Sequence, residues 1–176
     1  REILAAAPEH QRTLEALERL FAAGVRRAEI AEIIEPLYQT AGEWEKLVRV
    51  YEAQLEDLQG EERLGMYVRI AEIHEEKLLS VSGALSVYLR ALKEFPLEEV
   101  AGDGAERLAA AVDGGWEELA NAYADLLSAN EDLRIQRSVG AKLARVFEEE
   151  LADIEKAEET YRYVLGVAPL DADALA

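Results

Sequence analysis

The sequence of 176 residues contains no cysteine, two histidines, four prolines and one methionine, and it has 19 Lys plus Arg against 37 Asp plus Glu. The absence of cysteine removes disulfides, thiolate nucleophiles and cysteine-based zinc sites together, so packing alone must hold the chain. The shortage of cations leaves a formal net charge of −18 at pH 7. A surface that acidic repels phosphate backbones and anionic membrane faces, both of which need clustered Lys and Arg. Nucleic acid and membrane surfaces are therefore excluded as expected partners. No run approaches the roughly 18 apolar residues of a membrane span, and the opening Arg-Glu-Ile-Leu-Ala-Ala-Ala-Pro lacks a signal-peptide layout. A cytoplasmic location is expected, for a segment that reads as part of a longer repeat protein.

What is present is helical. Hydrophobic residues make up 50% of the chain, too many for an acidic disordered tail. Ala, Leu, Glu and Arg dominate, and the apolar residues recur at spacings of three and four. Breaks fall near Gly24, Ala41-Gly42, Gln59-Gly60, Ser80 to Gly83, Pro96, Gly102 to Gly104, Gly114-Gly115, Asn130, Asp153 and Pro169. They predict about nine helices joined by short connections, which force neighbours to run antiparallel. Pro36 falls inside one segment, where it should kink the helix or end it.

The chain also repeats itself. Gly42-Glu-Trp44-Glu-Lys-Leu47-Val-Arg-Val-Tyr51 aligns with Gly115-Trp116-Glu-Glu-Leu119-Ala-Asn-Ala-Tyr123. Val81-Ser-Gly-Ala84-Leu-Ser-Val-Tyr88 aligns in the same frame with Ile154-Glu-Lys-Ala157-Glu-Glu-Thr-Tyr161. The tyrosines at 51, 88, 123 and 161 are 37, 35 and 38 residues apart, and the two flavours alternate to give a double unit of about 73 residues. Pro96 and Pro169 close the second flavour, and Glu75-Glu76-Lys-Leu78 recurs as Glu148-Glu149-Glu-Leu151.

This pattern resembles the tetratricopeptide repeat (TPR). Ala84, Tyr88, Ala91 and Pro96 occupy the family's small, aromatic, small and proline places, and Ala157, Tyr161, Val164 and Pro169 do so with Val for Ala. Ile70-Ala71 with His74, and Leu143-Ala144 with Phe147, stand where the family has Leu-Gly and Tyr. Leu47 and Leu119 depart from the small-residue place, and neither of their repeats ends in proline. The Trp-Glu-x-Leu flavour, with 14 Arg against 5 Lys, is similar to repeat proteins of GC-rich bacteria. The resemblance implies an all-α, right-handed α-solenoid of antiparallel hairpins: a flanking helix at 8–24, hairpins near 26–59, 61–96, 97–129 and 131–169, and a further helix starting at 170–176. A hairpin cannot bury its apolar face alone, so repeats stack. The tyrosines then fill gaps between hairpins, and truncating Tyr88 or Tyr161 to Ala should cost about 3 kcal/mol or more.

Sites for chemistry are scarce. His74-Glu75-Glu76-Lys77-Leu78 starts like a zincin helix, but Leu78 stands where the second His is needed. Gly102-Asp-Gly104 lacks the third glycine of a dinucleotide fingerprint, and Asp113-Gly-Gly115 lacks the Lys-Ser/Thr of a P-loop. Both read as interhelical turns, with Asp103 and Asp113 offering caps. No serine sits in a nucleophile elbow. The sequence therefore points to a non-enzymatic protein with no metal and no cofactor.

The resemblance also implies where a partner binds. In the family the first helix of each hairpin lines a concave groove, and the matching positions here are Glu29 and Glu32, then Val68, Glu72, Glu75 and Glu76, then Asp103, Glu106 and Ala110, then Ala141, Arg145, Glu148 and Glu149. Most are acidic, and the Lys and Asn set that grips a peptide carboxylate is lacking, so a protein or peptide with a basic segment is the expected partner. The alternatives are a solubilising surface without a ligand, or a structural spacer that self-associates end to end.

Overall fold

A computed structural model describes residues 8–167 of the chain. Among the described residues it is all-α, with nine helices and no strand. They are α1 (Pro8–Ala22), α2 (Arg27–Ala41), α3 (Trp44–Leu55), α4 (Gly60–Glu76), α5 (Val81–Glu94), α6 (Glu99–Ala109), α7 (Gly115–Ala129), α8 (Leu133–Arg145) and α9 (Ile154–Val167). A π-helical turn, Val146–Glu150, extends α8. The predicted start of a helix at 170–176 lies outside the described residues.

The chain divides into two compact units, Arg1–Leu79 and Ser80–Ala176, with the boundary inside the predicted 61–96 hairpin. In the first unit α1 packs on α2, α2 on α3 and α3 on α4. The core there is built from Ile30, Ile34 and Tyr38 of α2, Leu47, Val50 and Tyr51 of α3, and Tyr67, Ile70 and Ala71 of α4. In the second unit each helix from α5 to α9 packs on the next, and α5 also packs directly on α7. Its core joins Ala84, Leu85 and Tyr88 to Leu108, Leu119, Tyr123, Val139 and Val146. Burial of these apolar stripes drives the assembly, since isolated helices of this length are marginal in water.

The double repeat reappears as backbone geometry. Leu79 and Ala152, 73 residues apart, are both left-handed at φ 52°. Each is followed by a residue whose side chain accepts from the N–H three positions on: Ser80 from Gly83 at 3.3 Å, Asp153 from Lys156 at 3.1 Å. The helix ends before these loops match as well, because Leu78 donates to the Ile73 carbonyl and Leu151 to the Val146 carbonyl, both at 3.0 Å. The helix ends at Val25 and Glu43 also close i→i−5, but among the described residues only Leu78 and Leu151, 73 residues apart, are followed by both a left-handed residue and a side-chain cap.

Four expectations need correction in whole or in part. Gly102 to Gly104 is no turn but lies within α6, where Asp103 caps nothing. A Cβ on Gly104 would stand 2.4–2.6 Å from three ring atoms of Tyr88, and one on Gly102 would stand 2.6 Å from Lys142 Nζ. The Lys142 ammonium can swing aside, so of the two only Gly104, against the Tyr88 ring, requires close approach rather than a bend. Asp113 is likewise not a cap; α7 starts from Gly114 in the left-handed conformation at φ 72°. Of the two outcomes expected at Pro36, a kink or an end, the end does not occur: the helix runs on to Ala41. Tyr161 is 39% exposed while Tyr88 is 6% exposed, so the stability cost expected for truncating a buried ring applies to Tyr88 and not to Tyr161.

Candidate interaction surface

A recurring tyrosine–carboxylate pair links successive helices. Tyr51 of α3 donates its hydroxyl to Glu35 of α2. Tyr123 of α7 donates to Glu106 of α6 at 3.1 Å, and Tyr161 of α9 donates to Glu148 of the π-helical turn, also at 3.1 Å. In each case the aligned tyrosine of the second helix fixes a carboxylate of the first. Burial, and then the bond to Glu35, push the Tyr51 hydroxyl up to about 12. Burial followed by the negative charge of Glu106 pushes Tyr123 up in the same way. The phenols therefore stay neutral donors, and each holds its acceptor carboxylate in place.

In the first unit α2, α3 and α4 enclose a cleft of about 390 Å³ lined by Glu35, Gln39, Trp44, Tyr51, Arg69, Glu72, Glu76 and Lys77. Glu72 and Glu76, both expected groove residues, are exposed on its α4 wall. Lys77 extends over the half-buried Trp44, with Nζ 5.7 Å from the ring centroid and 3.4 Å from the Glu76 carboxylate. An indole face beside a carboxylate attracts a cation electrostatically. This corner of the cleft already holds one ammonium group from its own chain.

The other expected residues of this unit lie elsewhere. Glu29 is exposed and paired with Arg26, one turn earlier, while Glu32 is exposed on α2 and does not line the cleft. Glu75 is half-buried and engaged with a neighbour.

In the second unit two of the expected residues meet each other. Arg145 pairs with Glu106 at 2.5 Å, joining α8 to α6 across 39 residues of sequence. Glu106 thus accepts from both Tyr123 and Arg145, while Asp103 and Glu149 are exposed. Helix α8 carries Arg134, Arg137, Lys142 and Arg145 and no acidic residue within Leu133–Arg145. The surface here is mixed in sign, because the basic α8 lies beside the acidic α6.

Sequence reasoning missed Glu35, Trp44, Arg69 and Lys77. Trp44 enters the sequence reading only as a repeat position aligned with Trp116, whereas its ring is half-exposed and lines the cleft. One signal for Glu35 was legible: a glutamate stands 16 residues before Tyr51 and another 17 before Tyr123. Among the described residues no group of three or more His, Asp and Glu is arranged to hold a metal ion, and no helix is long and apolar enough to cross a membrane. Compared with protein-family models, curated proteins and solved structures, the chain matches none.

Proposed function

We propose that the chain is a TPR-like solenoid segment acting as a non-enzymatic interaction scaffold, and that it binds a basic segment of a partner protein on the acidic side of its first helices. The observation that carries this reading is the α2–α3–α4 cleft, where Lys77 already lies between Trp44 and Glu76. Glu35 and Glu72 line the same cleft beside Arg69, so a partner Lys or Arg entering it meets two further carboxylates against one resident guanidinium. The helical walls are preformed, so docking costs little ordering on this side. Attraction between opposite charges speeds association and makes it sensitive to salt.

A Lys/Arg-rich peptide titrated into the intact chain tests the reading. Binding should weaken steeply from low to physiological salt and be lost in a Glu72→Lys, Glu76→Lys double variant that keeps its helicity. Binding indifferent to both salt and charge reversal would refute the acidic site.

A second reading, a structural segment that stacks on further repeats, is favoured by the outer face of α9. Tyr161 and Leu165 are 39% and 54% exposed there, although their counterparts one double repeat earlier, Tyr88 and Leu92, are 6% and 1% exposed. Sedimentation of the wild-type chain against a Leu165→Glu variant decides it. Self-association that Leu165→Glu abolishes supports stacking, and a monomer at all concentrations counts against it.

A further inference from the structure

The first unit holds a second cleft, of about 380 Å³, on the other side of α2, bounded by α1 and α3. It exists for a reason visible in the sequence. Aligned on the glutamates that take the tyrosine hydroxyls, Glu35 and Glu106, the buried residues Ile30, Ile34 and Tyr38 of α2 correspond to Ala101, Ala105 and Ala109 of α6. Small residues on α6 let its flanking helices α5 and α7 close over it into direct contact. Bulky residues on α2 wedge α1 and α3 apart, and the space between them stays open. An apolar hollow of that kind forfeits dispersion contacts along its walls, which a ligand of the right shape restores.

Apart from Glu18 on α1, the floor and walls of this cleft are largely apolar: Phe21 of α1, Ile34 of α2, and Val50 and Ala53 of α3. Its rim on α3 carries two cations, Lys46 and Arg49. Lys46 is already answered, with Nζ 3.7 Å from Glu18 and 5.4 Å from the centre of the Tyr38 ring. The Glu18 carboxylate also accepts the Tyr38 hydroxyl, so its charge is shared between two donors. Arg49 differs. Its Nε donates to the Glu45 carbonyl at 3.3 Å, and it forms no ion pair among the described residues. The cleft thus combines an apolar trough with an uncompensated guanidinium at one end. From Lys46 to Ala53 the trough follows two turns of α3, about 10 Å at the usual helical rise and hence the length of roughly eight methylene groups.

We propose that this cleft binds a medium-chain aliphatic anion, a fatty-acyl carboxylate whose hydrocarbon lies against Phe21, Ile34 and Val50 and whose carboxylate pairs with Arg49. The volume falls within the range of small-molecule sites, and the lining has the usual form of apolar walls with few convergent polar groups. The site is separate from the acidic cleft and does not depend on the basic-partner reading. A neutral chain would leave Arg49 without a counterion, and an alkylamine would place a second cation beside it and beside Lys46.

Calorimetric titration of the intact chain with octanoate, octanol and octylamine tests the proposal. Octanoate should bind at least tenfold more tightly than the other two. Arg49→Glu should weaken octanoate about tenfold, the effect of losing one charge-assisted bond. Ala53→Leu should abolish binding by filling the apolar end, and Ala22→Leu, at an exposed position on the α1 wall, should do so even if the first variant folds poorly. Absence of octanoate binding at millimolar concentration would overturn the proposal. So would equal binding of octylamine, or affinity unchanged in the Ala22→Leu and Arg49→Glu chains.

Discussion

Two substitutions of the same kind, Gly104→Ala and Gly65→Ala, should change stability in opposite directions. Both glycines lie inside helices, α6 and α4, where replacing Gly by Ala gains about 1 kcal/mol of intrinsic propensity. At Gly65 nothing lies within 4 Å of the added Cβ, so the full gain should appear. At Gly104 the same methyl would stand 2.4, 2.6 and 2.6 Å from Cε1, Cδ1 and Cζ of Tyr88. Carbon atoms rest at about 3.5–4.0 Å, so the ring must retreat by about 1 Å. Tyr88 is 6% exposed, and a retreating ring meets packed neighbours rather than solvent. Overpacking a filled core costs about 1–3 kcal/mol. A buried ring meeting a rigid helix belongs at the upper end, leaving a net loss of about 2 kcal/mol after the propensity gain.

Urea unfolding followed by circular dichroism measures both changes, with thermal shifts of about 4–8 °C downward for Gly104→Ala and 2–4 °C upward for Gly65→Ala. The attribution to Tyr88 is checked by a double-mutant cycle. In a Tyr88→Leu background the penalty of Gly104→Ala should fall below about 0.5 kcal/mol, because the offending ring is gone. A Gly104→Ala chain as stable as wild type, or a penalty that persists without the ring, would refute the close-approach account of this glycine.

Tyr123→Phe removes the hydroxyl bond to Glu106 at a fully buried ring and should cost about 1 kcal/mol, whereas Tyr161→Phe, at a ring 39% exposed, should stay within a few tenths; denaturant titration separates them. The Lys156 ammonium and backbone N–H hold the Asp153 carboxyl below its ordinary value. The stabilisation is therefore present above the ordinary carboxylate pKa and is lost as pH falls through the depressed one. Asp153→Asn should lower the urea midpoint at about pH 7 and leave it unchanged at about pH 2. Leu79 and Ala152 share a left-handed backbone that costs a side-chain-bearing residue about 1–2 kcal/mol, against about 0.5–1 kcal/mol of extra chain entropy for glycine. Leu79→Gly and Ala152→Gly should each be neutral to stabilising and agree within about 0.5 kcal/mol; unequal shifts of opposite sign would show that the two loops are not equivalent.

The helices were legible because their apolar spacing and breakers act locally, and the boundaries drawn from Gly42, Gln59, Ser80, Gly114 and Asp153 fall within a few residues of the observed ends. Gly102 to Gly104 misled the reading because glycine carries two signals, conformational freedom and absence of bulk, and sequence alone shows only that it is glycine. What distinguishes them is the partner: Tyr88 lies 16 residues before Gly104, on another helix, and no local pattern records that its ring needs the space. Charge pairing between helices was invisible for a related reason. Counting carboxylates on the first helices located Glu72 and Glu76 on the wall of a real cleft, yet the same count could not show that Arg145 reaches Glu106 from a helix 39 residues on. Charge is additive along a sequence but is cancelled pairwise in space, and the pairing depends on side chains long enough to cross between helices. The same logic explains the two units. The repeat period places α2 and α6 in equivalent positions, but Ile30, Ile34 and Tyr38 against Ala101, Ala105 and Ala109 decide whether the flanking helices part or close. Repetition sets the order of the helices, and residue volume at a few buried positions sets where that order leaves room for a ligand.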